Sequence, residues 1–334
     1  MRPRVSVLVP VHDAGRYLEP ALRSLAGQTL GDFEALCLDD GSTDGSGAAL
    51  DRWAERDPRF RVLRPGRVGL VAALNALVAE ARAPYLARFD ADDAMHPRRL
   101  ELQAARLDAN PGVGVVSCLV RHFPPAEVKE GNRVYEAWLN GLVTPEEIAR
   151  EVFVESPVAH PSVMLRAGLV ESLGGYRDDG LPEDYDLWLR AWLAGVRFAK
   201  VPRTLLYWRD HPSRLTRTHG RYSLESFLKA KARALAAGPL AENPRFVLWG
   251  AGMTGRRLLR QLLKTGRRPA AVLDIDPRKV GRTRHGVPVV PPEAFSPGSA
   301  LVLAAVGARG ARALIRERLA RWGLVEARDF WMVA

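Results

Sequence analysis

The sequence predicts an α/β protein built as two successive units, and three observations predict it. Apolar runs of strand length alternate with helical periodicities from the beginning of the chain. A Gly238-Pro239 break ends that series, and a fresh strand–turn–helix series opens at Phe246. Strands that alternate with helices build a mainly parallel sheet covered by helices on its faces, and 334 residues leave room for two such domains.

The elements follow in order. Val5–Val11 reads as a buried first strand, and Tyr17, Leu18, Ala21, Leu22 and Leu25 then fall on one face of a helix. The opening Met1-Arg2-Pro3-Arg4 and its apolar run have the outline of a signal peptide. The run is short, contains Pro10 and lacks a small-residue cleavage site, so a strand and a cytoplasmic location are expected. A second strand, 33–38, ends in Asp39-Asp40-Gly41-Ser42-Thr43-Asp44, a turn whose side-chain oxygens suit the free N–H groups of a helix start. A helix through Leu50 and Trp53, the strand Phe60–Leu63, a helix over 70–81 and a strand over 85–89 continue the alternation. From Val113 the rhythm loosens into strands at 113–120 and 162–165, a short helix at 145–150, a helix at 184–193 and a late strand at 204–208. A helix over 224–236 closes the series at Gly238. The expected domains are therefore 1–238 and 244–334. The second holds strands at Phe246–Trp249, 271–274, 300–306 and 330–333, with helices over Met253–Lys264 and 311–322.

Composition excludes little. Hydrophobic residues make up 47% and charged residues 26%, which is ordinary for a globular chain. No apolar run approaches the roughly 18 residues needed to cross a bilayer. Cys37 and Cys118 lie in strand-like runs without CxxC spacing and read as buried, reduced thiols. The net charge of +11 attracts phosphates or anionic headgroups. No lysine-rich tail, RNA-binding signature or helix-turn-helix gathers that excess, so no nucleic-acid partner is expected. A solvated surface is the first reading, with a nucleotide or a peripheral membrane role at the inner membrane face as alternatives.

The informative feature is where the acids sit. Ligands of open α/β sheets bind outside the carboxyl ends of the strands. Two strand–helix units place carboxylates at that edge, Asp39-Asp40 and Asp90-Ala91-Asp92-Asp93. Side chains two apart on extended backbone share a side, so Asp90 and Asp92 can approach one cation together. Clustered carboxylates repel unless something positive lies between them, and oxygen ligands select Mg²⁺ or Mn²⁺, the former commonly shared with substrate phosphates. A third acidic site, Glu183-Asp184-Tyr185-Asp186, opens a helix, where acids are also favoured by the dipole alone. Trp188 and Trp192, one helical turn apart, read as a buried face, whereas Trp138 with Asn140 is the better candidate for stacking on a sugar ring. His160 is open between a structural and an acceptor-side role.

These residues together resemble family-2 glycosyltransferases. The resemblance rests on Val5 to Asp13, the Asp39 to Asp44 turn, the Asp90 to Asp93 turn, His160-Pro161-Ser162, Gly174-Gly175-Tyr176, the Glu183-Asp184 pair and the 207–211 stretch. It spans about residues 4 to 215 and keeps the motif order. It implies a GT-A fold, a nucleotide-sugar donor and inversion at the anomeric carbon. Carried over residue by residue, it implies that Pro10, Val11, Asp13 and Asp39 or Asp40 hold the base and ribose. Asp90 and Asp92 match the D-x-D turn, with Asp92 the direct ligand of Mn²⁺ or Mg²⁺. Asp184 matches the catalytic base, Gly174 and Gly175 a turn on the acceptor side, and His211 a late histidine that reaches the metal or diphosphate. The family often has Asn where this chain has Asp13. The acceptor stays open among glycan, lipid-linked and protein hydroxyls. No Ser-His-Asp or Cys-His pattern calls for a covalent nucleophile.

In the second domain Gly250-Ala251-Gly252-Met253-Thr254-Gly255 follows a strand and opens a helix, and Asp274 ends the next strand. That is the context of a dinucleotide fingerprint, so a Rossmann-like unit holding a nucleotide or dinucleotide is expected at Gly250, Gly252, Gly255 and Asp274. The same motif supports two rivals, an NAD(P)-dependent oxidoreductase and a non-catalytic nucleotide- or sugar-binding protein. The first gives no reason for carboxylates at three sites before residue 190, and the second would call for a defective D-x-D or base, both of which are intact.

Overall fold

The computed structural model describes residues 2–334. The chain divides into two compact units. The first comprises the segments up to Ile148, Pro157–Asp179 and Gly195–Thr218. The second comprises Ala149–Ser156, Gly180–Ala194 and His219–Ala334.

The first unit is built on an eight-stranded sheet. Its strands are β1 (Val5–Val11), β2 (Phe33–Asp39), β3 (Phe60–Leu63), β4 (Tyr85–Arg88), β5 (Ala94–Met95), β6 (Val113–Phe123), β7 (Met164–Arg166) and β8 (Arg197–Arg209), in the spatial order β3-β2-β1-β4-β7-β6-β8-β5. β3, β2, β1 and β4 are mutually parallel. Val5, Val7, Leu8, Val9 and Val11 are each at most 3% exposed, because a parallel strand covered on both faces needs an unbroken apolar run. Helices Leu18–Ala26, Ser46–Arg56 and Leu70–Glu80 connect them, and Leu18, Ala21, Leu22 and Leu25 form a buried stripe, whereas Tyr17, expected on it, ends a short turn before the helix and is only partly buried.

The parallel order is interrupted after β4, although β6 and β8 again pair parallel. β7 pairs antiparallel with β4 and β6, and β5 pairs antiparallel with β8, so the sheet is mixed. The expected strand at 204–208 is the end of the 13-residue β8, whose pairing with β6 slips register between Cys118 and Val120. A helix over Glu130–Asn140 buries only Leu139, which left too weak an apolar stripe to be read from sequence. Cys37 and Cys118 are buried thiols, and burial pushes them up to about 12 and about 11.

The second unit has a six-stranded sheet of β9 (Phe246–Trp249), β10 (Val272–Leu273), β11 (Thr283–Arg284), β12 (Val287–Val290), β13 (Leu301–Ala304) and β14 (Phe330–Met332), ordered β11-β12-β10-β9-β13-β14. All pairings are parallel except that of β11 with β12. Its core joins β9, β10, β12 and β13 to helices Leu224–Ala237 and Met253–Lys264, and to Val152, Phe153, Tyr185 and Leu189 from the two earlier segments. Trp188 is fully buried, and Trp192 packs edge-on against Phe153 and Trp331 at 5.1 and 5.2 Å. Neither indole is a platform for a sugar ring. Among the described residues no helix is long and apolar enough to cross a membrane.

Candidate active site

β1 lies between β2 and β4, so the strand order reverses beside it, and crevices at such reversals receive ligands. The loops that leave this edge are tied together by side chains. Asp13, held at φ 46°, accepts from Thr43 N at 2.7 Å and donates its own N–H to Ser42 Oγ at 3.1 Å. Asp44 accepts from Gly15 N at 2.7 Å. Pro10 and Val11 lead into that staple. Asp39 accepts from Ser42 N at 2.9 Å, and Asp40 from Val68 N and Gly69 N at 2.6 and 2.9 Å. Both of these acids are buried, at 7% and 5% exposure, and their backbone bonds fix the loop beneath the crevice.

β4 runs into the acidic turn. One carboxylate oxygen from each of Asp90, Asp92 and Asp93 lies within 4.8 Å of the others. Buried Arg88 donates to Asp90 Oδ1 at 2.6 Å. Burial and the charges of Asp92 and Asp90 push the Asp93 carboxyl well above its ordinary range, and its Oδ2 is buried without a hydrogen-bond partner. For Asp92 burial pushes up, but the hydrogen bond with His211 and the charges of Arg214 and His211 win and hold the carboxyl below its usual value. His211 Nε2 lies 2.7 Å from Asp92 Oδ2, and its Nδ1 lies 2.9 Å from Ser213 Oγ. Three carboxylates and an imidazole are a donor set for Mg²⁺ or Mn²⁺. The orphaned Asp93 oxygen is an atom that a cation or its bound water would satisfy. These residues fit a divalent ion.

Arg209 fixes this turn from β8. Its backbone N–H donates to Asp93 Oδ1 at 2.8 Å and its Nε to Asp92 O at 2.6 Å. The guanidinium lies 4.3 Å from the Phe123 ring centroid and 4.8 Å from that of Tyr17. Beneath the turn the fully buried Arg99 donates to Arg88 O at 2.8 Å and to Gln103 at 3.0 Å. The 90–93 turn and the 207–211 stretch include Asp93 and Arg209 without giving either these contacts, and Arg88 lies outside both. The available signal was position, since Arg209 stands two residues before His211 and Arg88 two before Asp90.

Elsewhere in the first unit, Gly174 and Gly175 have φ of 80° and 74°, and a Cβ on Gly175 would come within 3.0 Å of Asn75 Oδ1. Asn75 pins the turn by bonding both the N–H and the carbonyl of Tyr176, at 2.8 and 2.9 Å. Tyr176 OH lies 3.0 Å from His160 Nε2, and burial holds that imidazole well below its ordinary pKa, hence neutral. Asn140 uses both ends of its amide on Val120 and is not available to a ligand. Trp138 sits 5.7 Å from Tyr135, which lies 6.4 Å from Trp208, in a partly exposed aromatic group.

Glu183 and Asp184 lie in the second unit, at the start of helix Glu183–Leu193. Glu183 is 2% exposed and accepts from Tyr222 OH with both oxygens at 2.9 Å and from Arg221 at 3.3 Å. Asp184 is half-buried. Loss of solvation, followed by the charge of Glu183, pushes its carboxyl up to about 8. Tyr222 was not marked by the sequence, because nothing in it pairs residue 222 with 183.

The glycine turn of the second unit is built as close packing requires. A Cβ on Gly255 would stand 1.8 Å from Gly250 O, and Gly250 has φ 122° with Ala305 O 2.8 Å from its would-be Cβ. Gly252 has open space and caps helix Met253–Lys264. Asp274 Oδ2 accepts from Ala251 N at 2.8 Å, and its Oδ1 accepts from Asp276 N at 2.9 Å.

Comparison with known proteins adds four findings. The model of the family described as Glycosyl transferase family 2 matches residues 6–173. EpsE of Bacillus subtilis (strain 168) is 30% identical over 229 residues, covering 67% of this chain and 79% of EpsE. The amylovoran biosynthesis glycosyltransferase AmsE of Erwinia amylovora is 30% identical over 204 residues, 60% of this chain and 74% of AmsE. Among solved structures, S. aureus TarS 1–349 in complex with UDP-GlcNAc superposes with a TM-score of 0.57 at 17% identity, covering 78% of this chain and 71% of that one. That likeness concerns the fold.

Proposed function

The chain belongs to glycosyl transferase family 2, and from that premise we propose an inverting, metal-assisted transfer of a sugar from a nucleoside-diphosphate donor to an acceptor hydroxyl. The observation that carries the reading is the acidic turn, where Asp90, Asp92 and Asp93 converge and His211 meets Asp92. The TarS complex holds a UDP-sugar, which supports a donor of that class here.

In this reading Pro10, Val11, Asp13, Asp39 and Asp40 form the base and ribose side of the crevice. Asp92, with Asp90 and His211, would hold Mn²⁺ or Mg²⁺. When bound, a divalent ion supplies Lewis-acid neutralisation of the charge that grows on a diphosphate leaving group. Arg209 keeps the turn in register by its two bonds to Asp92 and Asp93. Asp184 takes the proton of the acceptor hydroxyl. The freed oxygen then forms the new bond to the anomeric carbon while the bond to the diphosphate oxygen breaks, and the nucleoside diphosphate leaves with that electron pair. Direct attack from the opposite face inverts the centre, so no covalent protein intermediate forms. Glu183, clamped by Tyr222 and Arg221, lies beside Asp184 and helps push that carboxyl up, which raises its basicity. Gly174 and Gly175 would line the acceptor side. The similarity to AmsE, an amylovoran biosynthesis enzyme, favours a glycan acceptor.

The transferase domain would span 1–238 and an appended Rossmann-like domain 244–334. A nucleotide there would sit at Gly250, Gly252, Gly255 and Asp274, whose carboxylate also accepts from Ala251 N and Asp276 N.

A thermal-shift panel of nucleoside diphosphates and nucleotide sugars, with and without Mn²⁺, tests the proposal. One nucleotide series should raise Tm only with the metal, and its sugar form should be turned over. A panel with no metal-dependent shift would overturn it.

A further inference from the structure

The positive charge of this chain is segregated. Residues 219–334 hold 21 Lys and Arg against 8 Asp and Glu, whereas the first 218 hold 28 against 30. A bias toward arginine codons would enrich both parts alike, so it does not account for an excess confined to one of them.

Within the second unit several of these cations are neutralised. On helix Ala311–Arg321, Arg312 and Arg316 meet Glu151, Arg316 also meets Glu326, Arg318 meets Glu293 and Arg321 meets Glu317. Arg278 and Lys279 meet Asp276 and Asp274. The two packed helices Leu224–Ala237 and Met253–Lys264 differ. Met253, Arg256, Arg257, Arg260 and Lys264 are spaced 3, 4, 7 and 11 residues from the first, which puts them on one stripe. The opposite stripe, with Gly255, Leu258, Leu259 and Leu262, is buried. Lys229 and Arg233, four apart and both exposed, stand on the neighbouring helix. Among the described residues no acid pairs with Lys229, Arg256, Arg257 or Lys264. The acid that meets this face is Glu225, bonded to Arg260 and Gln261. Beside the stripe lies an open depression of about 540 Å³ lined by Arg233, Ala236, Ala237, Thr265, Gly266 and Arg267.

We propose that this two-helix face docks the protein on an anionic lipid surface. An array of unneutralised cations along a 12-residue helix matches many phosphates in a plane rather than a single phosphate. Met253, 62% exposed on the same stripe, offers an aliphatic chain to the headgroup layer, and no aromatic side chain stands on that stripe to stack a nucleic-acid base. The attachment is electrostatic and reversible, and it would hold a transferase beside acceptors carried on lipid.

The test uses the full chain and flotation with vesicles of phosphatidylcholine alone or with three parts in ten phosphatidylglycerol. Binding should need the anionic lipid and fall as salt rises past the screening range. The triple variant Lys229→Gln, Arg256→Gln, Lys264→Gln lacks no residue of the transfer site. It should lose at least about tenfold in vesicle partitioning, each cation near such a surface contributing about 1 kcal/mol, while its melting temperature stays unchanged. Equal flotation on neutral vesicles, a triple variant that floats like the wild type, or a 20-base-pair DNA duplex that outcompetes the vesicles would each overturn the proposal. Flotation does not read turnover, so its failure is distinct from failure of the transferase reading.

Discussion

Asp184→Asn separates proton transfer from donor binding. The substitution keeps the size of the side chain and removes its ability to take a proton. A positioned general base is commonly worth about 10² to 10⁴ in rate, or about 3 to 5 kcal/mol of barrier. With the carboxyl pushed up to about 8 by lost solvation and Glu183, only about one tenth of the free enzyme carries the base form at pH 7, so wild-type turnover should rise nearly tenfold between pH 7 and pH 9. The variant should be slow and flat across that range while the donor Kd is unchanged. Stability gives a second readout. Because the folded carboxyl binds its proton more tightly than the unfolded one, whose pKa is about 3.8, the stabilisation is complete below that value. It is lost as pH rises toward 8. Asparagine cannot ionise, so the variant should lose less stability than the wild type between pH 4 and pH 8. The assay is coupled detection of nucleoside diphosphate release with saturating Mn²⁺ over pH 6 to 9, alongside urea midpoints at pH 4 and 8. A variant with wild-type turnover and an unchanged pH limb would refute the assignment of the base.

Two further predictions rest on particular contacts. Arg209→Ala removes the Nε bond to Asp92 O and the two ring contacts while leaving the backbone bond to Asp93, so Mn²⁺ affinity measured by calorimetry should fall by about tenfold. An unchanged affinity would make the Arg209 clamp dispensable. Glu151→Gln takes the charge from a carboxylate that is 4% exposed and faces Arg312 and Arg316. Leaving those guanidinium groups underpaired should cost on the order of 3 kcal/mol in a urea titration, and a loss below about 1 kcal/mol would show that solvent or Glu326 compensates.

What was legible in the sequence was what a single element dictates. The Val5–Val11 run had to be a covered parallel strand, and acids at the ends of β2 and β4 had to meet at the same sheet edge because the strands are parallel neighbours of β1. The glycine turn at 250–255 was equally readable, since helix and strand approach there too closely for a Cβ at Gly250 or Gly255. Contacts between distant segments were not. The bonds of Arg209 to Asp93 and Asp92 bridge 116 and 117 residues, and the hold of Tyr222 on Glu183 bridges 39. No periodicity records such pairs. The mixed half of the first sheet was hidden for a related reason: the three-residue β7 and two-residue β5 owe their direction to neighbouring strands. The grouping of 149–156 and 180–194 with the second unit was hidden too, because segments recruited from the middle of a chain leave no compositional boundary.

The most direct test of the account is metal-dependent release of nucleoside diphosphate by the wild type and by Asp92→Ala. The account predicts release from one nucleotide sugar that needs Mn²⁺ or Mg²⁺ and is abolished by chelation. It predicts that Asp92→Ala loses at least about 10³ in that rate, as when a principal group stabilising transition-state charge is removed, with the fold intact by circular dichroism. Turnover that survives both chelation and Asp92→Ala would contradict it.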